Sequence, residues 1–64
     1  MMKDSQRKEY WRGYRAMKAH AYDVYDADKA FRDIYNSNEG AYFVRGAERA
    51  KRYIERVGIQ NITA

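Results

Sequence analysis

The sequence has no cysteine and no proline, a single histidine and a single tryptophan, and four isolated glycines. Without cysteine there is no disulfide framework and no thiolate zinc site. With one histidine, a metal site would have to be built from carboxylates, and neither a metal nor a cofactor is expected. Without proline, nothing breaks a helix from within. Scattered glycines make no phosphate-cradling loop. No apolar run is long enough to span a bilayer, and no signal-peptide pattern opens the chain. The expectation is a cytoplasmic protein without a membrane partner, which includes a bacteriophage protein made in a cytosol. The 64 residues leave room for one small domain, 1–64. Such a domain is too small to enclose a catalytic pocket, and no paired-carboxylate or nucleophile motif is present, so an enzyme is not expected.

What is present is charge and tyrosine. Hydrophobic residues make up 45% and charged residues 34%, a balance that folds. The net charge is +4, and it is unevenly placed. Residues 1–20 carry net +4, residues 21–40 carry −3 and residues 41–64 carry +3. Two basic ends therefore flank an acidic middle, and a basic balance favours a nucleic-acid partner. Seven tyrosines supply apolar area with a polar tip, which suits both a small core and a contact surface.

Apolar positions recur at helical spacing from Tyr10 through Tyr14, Met17, Ala21, Val24, Ala27 and Phe31 to Ile34. Asp4 or Ser5 is placed to cap the start. One helix over 5–35 would be about 46 Å long, which is long for a domain of this size, and the spacing alone leaves a continuous and a broken helix both open. The stretch from Tyr22 to Asp28 holds weaker helix formers, and Asp23 and Asp26 are two candidate caps. A break there gives helices at about 5–22, 26–35 and 39–57, and it lets the chain fold back over a shared core. The fold expected is all-α, a two- or three-helix hairpin-like domain. Asn36-Ser37-Asn38 reads as a turn, with Asn38 as the cap of the last helix. That helix carries the stripe Phe43, Ala47, Ala50, Ile54, Val57, and Gly58 with Ile59 forms its stop. Residues 60–64 read as a short loose tail. A shift of 33 positions carries Tyr10, Tyr14, Met17, Ala21 and Val24 onto the second stripe, and Arg12-Gly13 onto Arg45-Gly46. Duplication and chance both produce such an echo. Either way, Gly46, Ala47 and Ala50 form a small-residue patch that admits a close neighbour, with Tyr14 and Met17 bulky enough to fill the space. So thin a core makes a homodimer or a partner surface a physical expectation.

The strongest surface signal is Arg45, Arg49, Arg52 and Arg56, spaced by four, three and four along one face of the last helix. The row is about 16 Å long and lies nearly opposite the apolar stripe. Guanidinium donates two parallel hydrogen bonds to phosphate or carboxylate and keeps its charge at any working pH. Such a row suits a nucleic-acid backbone or an acidic protein surface. Tyr42 and Tyr53 lie beside it, and Glu48 and Glu55 soften it toward an ordinary solvated face. On the first helix, Lys8, Arg12 and Arg15 cluster opposite the stripe, and Trp11, Arg15, Lys18 and Tyr22 run along its boundary. Basic groups interleaved with aromatics suit single-stranded nucleic acid. The competing reading puts Trp11 and Tyr22 in a wide core face with lysine stems lying over it, and a sole tryptophan usually packs. The acidic residues Asp23, Asp26, Asp28 and Asp33 make no calcium loop and read as caps and ion-pair partners, or as an inter-subunit match for the arginine row. His20 has no cysteine, serine or close carboxylate arrangement that would make it a base.

Two segments, Arg12-Gly13-Tyr14-Arg15-Ala16 and Phe43-Val44-Arg45-Gly46-Ala47-Glu48-Arg49-Ala50, resemble the ribosome modulation factor family. These are small basic two-helix proteins with a Gly-Tyr-x-Ala element in one helix and an aromatic-x-x-Gly element in the next. The chain lacks the family's Cys-Pro-Tyr linker and has a longer connection. The resemblance implies an RNA or ribosome partner. The leading expectation is a non-enzymatic module that contacts nucleic acid, RNA ahead of DNA, through these basic faces. The alternative is a phage-type regulator or inhibitor that docks on a host protein.

Overall fold

A computed structural model describes residues 2–62. The chain forms α1 (Asp4–Val24), α2 (Ala27–Asn36) and α3 (Ala41–Val57), followed by a 3-10 turn at Ile59–Asn61, with no strand among the described residues. The expected all-α class is what the structure shows, in its three-helix form.

The break falls at Tyr25-Asp26. Tyr25 takes a left-handed conformation (φ 55°), which ends α1, and its N–H donates to the Ala21 carbonyl. Asp26 is extended, and its carboxylate accepts from the Lys29 N–H at 3.1 Å, which makes it the cap of α2. Two of the expected caps are corrected. The residue before α1 is Lys3, not Asp4 or Ser5; its side chain has no acceptor, but its N–H donates to Gln6 Oε1 at 2.8 Å. The residue before α3 is Gly40, not Asn38. Asn38 sits in the left-handed region (φ 61°), where asparagine is tolerated, so it forms the turn and cannot also start the helix.

α1 and α3 run parallel and in direct contact, and α2 carries the chain back from the end of the first to the start of the second. The contacts set the direction: Tyr10 and Gly13 meet Gly46 and Phe43, and farther along Lys18 reaches Tyr53. A Cβ on Gly13 would lie 1.9 Å from the Phe43 carbonyl oxygen, and one on Gly46 would lie 1.7 Å from that of Tyr10. Only glycine fits at either place. The partners are the positions that the 33-residue shift relates, so the two helices cross at an approximate two-fold. The expected close approach at Gly46 is present, and Gly13 is its counterpart.

α2 covers one side of this pair. Ala30 and Ile34 of α2 pack with Met17 and Ala21 of α1 and with Phe43, Ala47, Ala50 and Ile54 of α3. The second apolar stripe is buried as expected, with Val57 partly so, while Tyr10, Tyr14, Val24, Ala27 and Phe31 of the first are only half-buried. α3 stops at Gly58 (φ 89°), whose N–H donates to the Ile54 carbonyl at 2.8 Å. The tail expected over 60–64 is corrected as far as residue 62. Asn61 Nδ2 donates to the Val57 carbonyl at 2.6 Å, and Ile62, 4% exposed, closes the end of the core. Residues 63 and 64 lie outside the described part. No helix is long and apolar enough to cross a membrane among the described residues.

Candidate nucleic-acid interface

The side of the α1–α3 pair opposite α2 is an open groove of about 660 Å³. Arg45, Arg49, Arg52, Arg56, Tyr53 and Glu48 line it from α3, and Tyr10 and Tyr14 line it from α1. The helical period puts the four arginines on one face, and all four are exposed. Because α1 packs against Gly46, on the flank of α3 nearest Tyr53, that face becomes one wall of a groove.

The guanidinium groups are largely free of carboxylates. Arg52 pairs with Glu48 at 3.1 Å, one turn earlier. Arg45 lies over the Tyr42 ring, 5.2 Å from its centre. Among the described residues, no carboxylate oxygen comes within 4.0 Å of Arg45, Arg49 or Arg56. Lys51, which lies off the row, instead ties α3 to α2 through Asp28 (3.4 Å) and the face of Phe31.

Of the basic residues read on the first helix, Lys18 is the one that reaches the tyrosines of this groove. Lys18 Nζ lies 5.5 Å from the ring centre of Tyr14 and 5.8 Å from that of Tyr53, joining α1 to α3. Trp11 packs edge-on against Tyr10 and Tyr14 and remains 43% exposed. It is therefore a rim residue and not a core one. Tyr22 is 53% exposed, and Arg15 and Lys8 are exposed too. Arg12 is drawn to Glu9, which lines a smaller, separate groove with Ser5, Gln6 and Phe43, so Arg12 is not gathered into the main one. Tyr42 touches Arg45 without lining the groove.

Tyr10 and Tyr14 are the groove residues that sequence reasoning missed. Their helical spacing put them in the apolar stripe, and the structure places them at its edge. The signal available was the residue type, because tyrosine at a stripe boundary keeps its hydroxyl toward water.

The acidic residues are mostly paired on the far side. Asp26 caps α2, Asp28 meets Lys51, and Asp33 Oδ2 lies 2.9 Å from His20 Nε2 and 3.4 Å from Lys29 Nζ. The hydrogen bond to His20, aided by Lys29, holds the Asp33 carboxyl below its ordinary range. His20 therefore does have a carboxylate neighbour, thirteen residues away in sequence and brought close by the α1–α2 turn. With these aspartates engaged on the far side, Glu48 is the one carboxylate lining the groove among the described residues, and it offsets Arg52 alone. No protein-family model, curated protein or solved structure matches the chain.

Proposed function

We propose that this chain is a non-enzymatic nucleic-acid-binding module, with RNA ahead of DNA, and that the α1–α3 groove is its contact surface. One observation carries the reading: four guanidinium groups share one wall of an open groove, and three of them have no carboxylate partner among the described residues. A row of fixed positive charge with bidentate geometry matches a run of phosphates. The tyrosines opposite supply rings and hydroxyls for sugars and bases. The resemblance of the Gly13 and Gly46 segments to the ribosome modulation factor family points to RNA, and the cytoplasm is the matching site of action.

The test is salt dependence. Engagement of four phosphates predicts that log affinity falls with log salt at a slope of about −3. Arg49→Glu combined with Arg56→Glu removes binding while the helical circular-dichroism spectrum stays unchanged, because exposed substitutions cost within about 0.5 kcal/mol. Absence of nucleic-acid affinity at every salt concentration, with recovery of one nuclease-resistant protein from a host lysate, would hand the row to an acidic protein surface and overturn the proposal.

A further inference from the structure

The arginine row lines the groove on α3. A row of equal length on α1 borders it through Trp11 and Lys18, which pack on the groove tyrosines, with Arg15 and Tyr22 on the same helix face by spacing. Trp11, Arg15, Lys18 and Tyr22 on α1 are spaced by four, three and four, as are Arg45, Arg49, Arg52 and Arg56 on α3. The helices run parallel, and the glycine crossing sets positions about 33 apart side by side. Trp11 is therefore nearly level with Arg45, and Tyr22 with Arg56. Each row is about 16 Å long. The two rows differ in chemistry. The α3 row is all guanidinium, and the α1 row ends in two exposed rings, with Arg15 and Lys18 between them. Tyr10, Tyr14 and Tyr53 line the space between, and Lys18 bridges Tyr14 and Tyr53.

Resting on the nucleic-acid reading above, we propose that the groove takes a single strand lengthwise, with its phosphates along α3 and its bases along α1. A strand has one edge of charge and one of flat rings, and the groove presents the complement of both. A duplex turns phosphates outward on both strands and keeps its bases stacked inside, so it would leave Trp11 and Tyr22 without a partner. At ~3.4 Å of rise per stacked nucleotide, a 16 Å row spans about five nucleotides. Sequence preference is weak in such a site, since every base has a stacking face.

Trp11 is the only tryptophan in the chain, so its emission reports directly from the base side. The full chain is titrated with a short single-stranded RNA longer than the rows, with a hairpin-closed duplex of the same length, and with heparin. Anisotropy of the labelled oligonucleotides, and competition by heparin, are followed together with Trp11 emission. The single strand is expected to bind at least tenfold more tightly than the duplex and to quench Trp11 with the same midpoint. Tyr22→Ala weakens the single strand by roughly tenfold, the loss of one stacked base, and leaves the duplex unchanged. Arg49→Glu weakens both. If the duplex or heparin binds as tightly as the single strand while Trp11 emission is unaltered, the strand assignment is overturned and the nucleic-acid reading survives. If neither oligonucleotide binds, both fall.

Discussion

Gly13 and Gly46 sit where a single methyl group would collide with a carbonyl oxygen of the partner helix. Neither neighbour is the far end of a side chain that could swing aside, so the helices themselves must part. Gly13→Ala or Gly46→Ala is expected to cost about 3 kcal/mol or more, the upper range for overpacking a core. At ~4–8 °C per kcal/mol for a domain of this size, a melt detects that loss easily. Gly40→Ala is the control, since nothing lies within 4 Å of the added carbon, and its melt should stay close to the parent's. Asp33 gives a prediction of the opposite kind, read in pH. Its carboxyl titrates below the ordinary value of 3.8 in the folded chain, held there first by His20 and then by Lys29. The stabilisation is complete above that value and is lost as pH falls through the lower folded one. Asp33→Asn should therefore melt below the parent at neutral pH, and the two curves should converge in acid. A gap that persists in acid would mean that the side chain acts through packing and not through charge.

At the scale of elements, α2 is ten residues long and too short to persist alone. It depends on Asp26 at its start and on the core face of Ala30 and Ile34. Asp26→Ala removes the acceptor for the Lys29 N–H and should cost about 1 kcal/mol, measured by denaturant melt. Gly58→Ala places a side chain in the left-handed region and should cost about 1–2 kcal/mol by the same measurement. The helices themselves were legible because their apolar period is regular and their breaks fall on residues with a local reason to break, Asp26 and Gly58. Asn38 misled because one residue type serves both cap and turn, and only the φ it takes separates the two uses. Ile62 was invisible to periodicity, being a single apolar residue past the last helix whose burial depends on where the chain turns. In the site, the arginine row was legible from spacing alone. Its union with Lys18, Tyr10 and Tyr14 was not, because spacing within a helix says nothing about which flank a second helix will cover. The small residues of α3 named that flank in retrospect: Gly46 lies beside Tyr53, so α1 had to arrive there.

Across the whole molecule, charge is sorted by side. α2 holds Asp28 and Asp33 in pairs with lysines, and the groove opposite holds four arginines with Glu48 as its one lining carboxylate among the described residues. A ligand that binds this groove only in the folded state should raise the melting temperature, with a gain of about 2.7 kcal/mol at a hundredfold excess over Kd. The core is small, with Met17 and Ile54 the only large side chains fully buried among the described residues. The melting temperature is therefore expected to rise with protein concentration as well, and a monomeric mass with a concentration-independent melt would remove self-association. The glycine crossing also bears on how fast the chain reaches this state. It joins residues some thirty positions apart, so its contacts form only after the intervening segment has closed into a loop. Closure costs entropy that grows with loop length, and it is spent before any packing is gained. Adjacent helices in a simple bundle meet sooner along the chain, and local contacts of that kind go with fast folding. This chain should consequently fold more slowly than a helical hairpin of equal length, with the docking of its first helix on its last as the step that limits the rate.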